Sequence, residues 1–254
     1  MAKIIAVANQ KGGVGKTTTA VNLSSCIAEL NKKVLVIDVD PQGNTTSGLG
    51  IEKGGDGYTV YDIFVNNVNP IDAVKKTEYF GLDIITSDIE LAGAEIELVS
   101  MEKREFILKN ALSKIKDKYD YIFIDCPPSL GLVTLNSLIA ADGIIIPLQC
   151  EYFALEGIAQ LVNTVNLVKK GFNPDLEIDG IVMTMFDGRT NLSIQVVDEA
   201  KKVFGRKVLK TVIPRNVRLS EAPSFGEPIN VFDKTATGCV AYQKLAKEVI
   251  KLYN

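Results

Sequence analysis

The sequence predicts an α/β fold: a doubly wound, mostly parallel sheet with helices on both faces. Three observations carry that expectation. Short apolar runs recur from end to end, continuous rather than alternating, as strands buried on both faces read. Stretches with helical spacing separate them. A glycine-rich loop joins the first apolar run to the first helical stretch, at the end of a strand where doubly wound folds bind their ligands.

Each element follows in order. Ile4–Ala8 reads as a buried strand, Thr17–Leu30 as a helix and Val34–Ile37 as the next strand, followed by a turn-rich loop over Asp38–Gly57. Leu82–Ile85 is a strand, and Glu102–Lys118 a helix with Phe106, Ile107, Leu108, Ala111, Leu112 and Ile115 on its apolar side. Strands follow at Tyr121–Ile124, Gly143–Ile146, Ile178–Met183 and Lys207–Ile213, with helices at Leu155–Val168 and Leu192–Val203. A last helix covers Val240–Leu252. No linker-like stretch interrupts this order, so residues 1–254 are expected to form a single domain.

Composition excludes several chemistries. The 254 residues include no His and no Trp, so neither a Ser-His or Cys-His nucleophile pair nor a His-ligated metal is available. Cys26, Cys126, Cys150 and Cys239 are scattered without a CxxC, which fits a reduced, cytoplasmic setting. The N-terminal apolar stretch is too short for a signal peptide, and no run approaches the roughly 20 residues of a membrane span. The net charge of -3 hides a division. Residues 1–188 hold 16 Lys and Arg against 25 Asp and Glu, whereas residues 189–254 hold 12 against 6. A basic face for a polyanion is one reading of that division, and an ordinary solvated surface is the other.

The glycine-rich loop is Lys11-Gly12-Gly13-Val14-Gly15-Lys16-Thr17-Thr18. Glycines let successive backbone N–H groups turn toward one anion, and the following helix adds the positive end of its dipole. Lys16 would reach the β- and γ-phosphates, and the Thr17 hydroxyl would hold Mg²⁺. Where the usual pattern has its first glycine the chain has Gln10, and a second lysine, Lys11, stands near the start. A dinucleotide-binding loop is ruled out, because Thr18 occupies the position of the third glycine. Two other apolar runs end on carboxylates: Val34–Ile37 runs into Asp38-Val39-Asp40-Pro41-Gln42-Gly43-Asn44, and Tyr121–Ile124 into Asp125-Cys126-Pro127-Pro128-Ser129. At strand ends facing the loop, Asp125 would hold Mg²⁺ through water, and Asp40 would orient or activate the attacking water.

Lys11 and its loop resemble the deviant Walker A motif of the ParA/MinD family. The segments ending on Asp40 and Asp125 match that family, as do Pro147–Gly157 and Pro214–Gly226. The later segments resemble its short chromosomal ParA branch, and the loop starts too early to leave room for an N-terminal helix-turn-helix. The resemblance implies ATP and Mg²⁺ as ligands and an ATP-dependent homodimer in which Lys11 reaches the partner's phosphates. It implies Asp40 as the hydrolysis residue, and Pro214 and Asn216 near the adenine. Arg189, Arg215 and Arg218 would form a face for non-specific double-stranded DNA, giving a nucleoid-associated protein with a ParB-type stimulator. A MinD-like membrane cycle is the alternative, and it needs an amphipathic helix beyond the fold. The final helix reads instead as core. Nitrogenase-reductase-like electron transfer would need cluster-binding cysteines at a dimer axis, and no such motif is present.

Overall fold

A computed structural model describes residues 2–253, apart from the side chains at 155 and 156. One sheet is built from β1 (Lys3–Val7), β2 (Val34–Asp38), β3 (Val74–Lys76), β4 (Leu82–Ile85), β5 (Tyr121–Asp125), β6 (Gly143–Gln149), β7 (Glu177–Phe186) and β8 (Val208–Pro214). Their order across the sheet is β3-β4-β2-β5-β1-β6-β7-β8. Every neighbouring pair is parallel except β3 with β4, which makes an antiparallel edge.

The continuous apolar runs are explained by cover on both sides. Along β1, Ile4 and Ala6 face one core layer while Ile5 and Val7 face the other; along β5, Ile122 and Ile124 divide in the same way from Tyr121 and Phe123. One layer is closed by the helices Leu132–Ala140 and Ala154–Gly171 together with the chain from Val60 to Leu112. The other is closed by the first helix, Lys16–Ala28, and the last, Thr237–Leu252. These two are also tied by a hydrogen bond between the Thr19 and Tyr242 hydroxyls at 3.1 Å. β1 lies between β5 and β6, where the chain's winding reverses, and its carboxyl end opens the crevice that doubly wound folds use for ligands.

Most expected elements shift by only a few residues; short helices at Val60–Val65, Pro70–Ala73, Leu91–Glu97, Val217–Glu221 and Ile229–Phe232 are not among those expected, and four further places differ. The expected helix Glu102–Lys118 is a shorter helix, Ile107–Ser113, between two 3₁₀ turns. Lys103 adopts a left-handed φ of 53°, and Asn136 takes the backbone groups that would have continued the helix. Its Nδ2 donates to the Arg104 carbonyl and its Oδ1 accepts from the Leu108 amide. The expected loop after β2 contains a short helix, Asn44–Gly48, organised on the Asp38 carboxylate. The helix Leu132–Ala140 has no polar face to give it a period, since Thr134, Asn136 and Ser137 are buried along with its apolar residues. β3 is a three-residue edge strand of Val and two Lys, too short and charged to read as a strand.

Candidate active site

The phosphate loop stands at the end of β1 and is held from the neighbouring strands. Gly13 and Gly15 have φ of 74° and 93°, which only glycine adopts without strain, and Gly15 is the N-cap of the first helix. The Thr184 hydroxyl at the end of β7 donates to the Val14 carbonyl at 2.8 Å and fixes the loop's height over the sheet. Lys16 is buried, with its ammonium donating to the Lys11 carbonyl at 3.0 Å. Burial pulls its pKa down, and the nearby Asp125 carboxylate opposes that shift. A cation so placed spans the concavity of the loop.

One strand-end carboxylate, Asp125, is bonded to the loop. Asp125 lies opposite Val7 on β1 and opposite Asp38 on β2. Its Oδ2 accepts from the Thr17 hydroxyl at 2.8 Å and from the Thr45 hydroxyl at 2.7 Å. Its Oδ1 is buried and, among the described residues, has no hydrogen-bond partner. An orphaned buried carboxylate oxygen beside a threonine hydroxyl is a donor set that suits a hard divalent cation, so Thr17 and Asp125 fit Mg²⁺. Burial pushes the Asp125 carboxyl well above the ordinary range, and the charge of Asp38 adds to the shift.

Asp38 and Asp40 divide their work. Asp38 is fully buried and holds the following segment: its Oδ2 accepts from the Thr46 amide and hydroxyl, both at 2.8 Å, and its Oδ1 from the Asp40 amide at 3.1 Å. Asp40 is half-buried, and its Oδ1 accepts only from the Gln42 amide at 2.9 Å, in a turn closed by Gly43. Among the described residues its Oδ2 takes no hydrogen bond. Thr45 and Thr46, which fasten this segment to Asp125 and Asp38, were not among the expected residues. Their positions in an apparent loop carry no signal of the short helix that aims them.

Lys11 does not point into solvent. Its ammonium forms an ion pair with Glu151, just beyond β6, while its amide donates to Asn9 Oδ1. Asn9 Nδ2 in turn donates to the Pro147 carbonyl at 2.8 Å. Gly12 beside it is exposed, and a Cβ there would meet nothing within 4 Å.

Beyond the phosphate loop, Gly15, Thr18, Met185, Pro214, Arg215 and Asn216 line a cleft of about 410 Å³. It is the right place and size for a nucleoside next to phosphates on the loop. The Asn216 side chain caps the helix Val217–Glu221, accepting from the Leu219 amide and donating to Thr237. The expected DNA-facing arginines lie just beyond β7 and β8, and two of the three, Arg189 and Arg218, are ion-paired. Arg189 pairs with Asp187 through two hydrogen bonds, which hold that carboxyl down to about 2. Arg218 pairs with Asp233 and Glu221 and lies over the Phe232 ring. Arg215 lines the cleft beside the phosphate loop.

Comparison with known proteins bears on this arrangement. A family model described as an AAA domain matches residues 2–178. The chain is 60% identical over 249 residues to the sporulation initiation inhibitor protein Soj of Bacillus subtilis, covering 98% of each. It is 50% identical over 249 residues to the chromosome partitioning protein ParA of Myxococcus xanthus, covering 98% of this chain and 88% of that one. Among solved structures, a Mycobacterium smegmatis protein described as cobyrinic acid a,c-diamide synthase, with bound ADP and magnesium, superposes with a TM-score of 0.88. That match is at 36% identity and covers 100% of this chain and 96% of the other.

Proposed function

Because this chain belongs to the ParA/MinD family of P-loop ATPases, we propose that it is a partitioning ATPase working as one unit over residues 1–254. Its ATP-bound copies pair, grip double-stranded DNA without reading its sequence, and let go on hydrolysis, with a ParB-type centromere-binding protein as stimulator. The observation that carries the catalytic part is the unpartnered Oδ1 of Asp125, buried beside Thr17 at the mouth of the phosphate loop. The M. smegmatis protein, which holds ADP and magnesium at the same fold, supports a magnesium nucleotide here.

The residues divide the task by position. Backbone amides from Gly12 to Thr18 and the Lys16 ammonium bind the phosphates and stabilise charge as it moves toward the leaving group. Thr17 and Asp125 hold Mg²⁺, whose charge neutralises the phosphate oxygens. Asp40 orients the attacking water, a task that no histidine performs in this chain. Pro214 and Asn216 border the base. Lys11 leaves Glu151 to reach the partner's phosphates, and Arg189, Arg215 and Arg218 face DNA phosphates, a contact that supplies affinity without sequence readout.

The ParA branch is favoured over a membrane-cycling one by its relatives and by the last helix. Tyr242, Leu245, Ala246 and Val249 on that helix are buried, so its apolar face is spent on the core. Among the described residues no helix is long and apolar enough to cross a membrane. Size-exclusion chromatography of Asp40→Ala with ATP, with ADP, and with ATP plus DNA tests the proposal. The expected result is a monomer with ADP, a dimer with ATP and a DNA-bound dimer in the third case. A monomer throughout overturns it, and sedimentation with liposomes rather than plasmid would transfer the chain to the membrane branch.

A further inference from the structure

The helix Leu132–Ala140 starts after the six-residue loop that follows Asp125, and it starts without a cap of its own. Its N-cap is Gly131, which has no side chain to offer. The leading amides are taken instead by a carboxylate from the helix Leu91–Glu97: Glu95 Oε2 accepts from Leu132 at 2.7 Å and Oε1 from Val133 at 3.2 Å. A carboxylate here satisfies two of the helix's orphan donors and complements its dipole. Gly131 has φ of -83°, open to any residue, yet a Cβ on it would overlap the Glu95 carboxylate. The Glu95 carboxylate therefore keeps this place only because residue 131 is glycine; any side chain there would push it aside.

The segment that carries Glu95 also touches the other side of the site. The Ser87 amide donates to the Thr46 hydroxyl at 3.0 Å, and that hydroxyl donates to Asp38 Oδ2. A Cβ on Gly43 would meet the Ser87 carbonyl at 2.8 Å, so the Asp40 turn rests directly on this segment. At the far end, the Thr134 hydroxyl donates to the Ser129 carbonyl at 2.7 Å, joining the capped helix to the loop after Asp125. Residues 86–97 thus form a strut between the Asp40 turn and the Asp125 loop.

We infer that Glu95 is a positioning residue for hydrolysis: by capping the helix after Asp125, it sets where that loop stands relative to the Asp40 turn. This rests on the ATPase reading above. Glu95 lies outside the phosphate loop and the cleft beside it and acts only through the two loops, so its loss falls on turnover and not on nucleotide binding.

The test is steady-state Mg-ATP turnover of the full chain at a temperature where circular dichroism shows each variant folded. Glu95→Ala lowers kcat about tenfold with KM within about twofold, the scale of a lost cap in the transition-state arrangement. Glu95→Gln keeps an acceptor and recovers to within about threefold of wild type. Gly131→Ala reproduces the kcat loss by displacing the carboxylate. The double variant is no slower than Glu95→Ala alone, because the overlap is gone. Unchanged kcat in Glu95→Ala, or additive losses in the double variant, overturns the role of Glu95. No turnover by the wild-type chain overturns the ATPase reading instead.

Discussion

The ammonium of Lys11 is bonded to the carboxylate of Glu151, across 140 residues of sequence and within one subunit. The lysine that the family resemblance assigns to a second copy's phosphates is therefore already engaged in the unpaired chain. Both side chains are about one-third exposed, so the pair is worth at most about 1 kcal/mol. That is small against a phosphate contact, yet it must be broken before Lys11 can cross to another subunit. Glu151→Gln keeps the shape and removes the charge. Because each of the two subunits must break its own pair, sedimentation with ATP in the Asp40→Ala background should show pairing at up to about 25-fold lower protein concentration. A requirement for more protein would mean that Glu151 serves the paired state instead.

Gly12 poses a separate test, because nothing in its own chain asks for glycine there. Its φ lies outside the left-handed region and a Cβ would have open space, in contrast to Gly13 and Gly15. Gly12→Val should fold and bind ATP within about threefold of wild type, yet stay monomeric, since the branched side chain occupies space that only a second copy would need. Equilibrium titration with a fluorescent ATP analogue and light scattering separate the two effects. A Gly12→Val dimer with ATP would remove this face from the interface.

What the sequence made legible follows from local rules. Runs such as Val34–Ile37 and Tyr121–Ile124 are apolar at every position because both sheet faces are covered, and each ends on an aspartate because the strand ends open into the crevice. The phosphate loop is legible because its glycines and lysine act in consecutive positions. The rest depends on partners far apart in the chain. Asn136 breaks the expected helix at Arg104 and Leu108, Glu151 engages Lys11, and Glu95 caps a helix 37 residues away. No spacing rule anticipates such pairs. The sequence places Arg189, Arg215 and Arg218 on an expected DNA face but gives no sign that Asp187 and Asp233 pair with two of them.

That neutralisation decides which arginine gives the cleaner test of DNA binding. Arg218 is clamped by two carboxylates and stacked on Phe232, so replacing it also loosens the fold around Val217–Glu221. The Arg189 side chain is 90% exposed and touches Asp187 alone among its ion-pair partners. Arg189→Glu should weaken binding of the ATP-loaded dimer to DNA at least tenfold while leaving ATP-dependent pairing intact. The affinity that remains should fall less steeply with salt, because fewer counterions are released. Fluorescence anisotropy over a salt series gives both quantities. Unchanged affinity and slope would place the DNA face elsewhere.

The buried carboxylates predict an unusual pH dependence for the nucleotide-free protein. Burial raises both Asp38 and Asp125 above their unfolded values. A carboxyl that ionises less readily in the folded chain opposes folding once the unfolded chain has lost its proton. The penalty begins as pH rises through about 4 and grows until the folded groups ionise too. Stability should therefore fall, not rise, between pH 5 and 7.5. Burial raises the Asp179 carboxyl too, which adds to the fall in the same direction; the chain has no histidine, and burial pushes all four thiols upward. Asp187 and Asp233 are shifted down, so the stability they add is lost only in more acidic solution. In EDTA the melting temperature should drop by about 4 °C from pH 5 to pH 7.5, the scale of one to two kcal/mol for a chain of this size. Saturating magnesium nucleotide should remove most of that drop, because a divalent cation at Asp125 favours the ionised form. Differential scanning calorimetry under the two conditions makes the comparison. A level or rising profile in EDTA would show that these carboxylates are not the strained pair their burial implies.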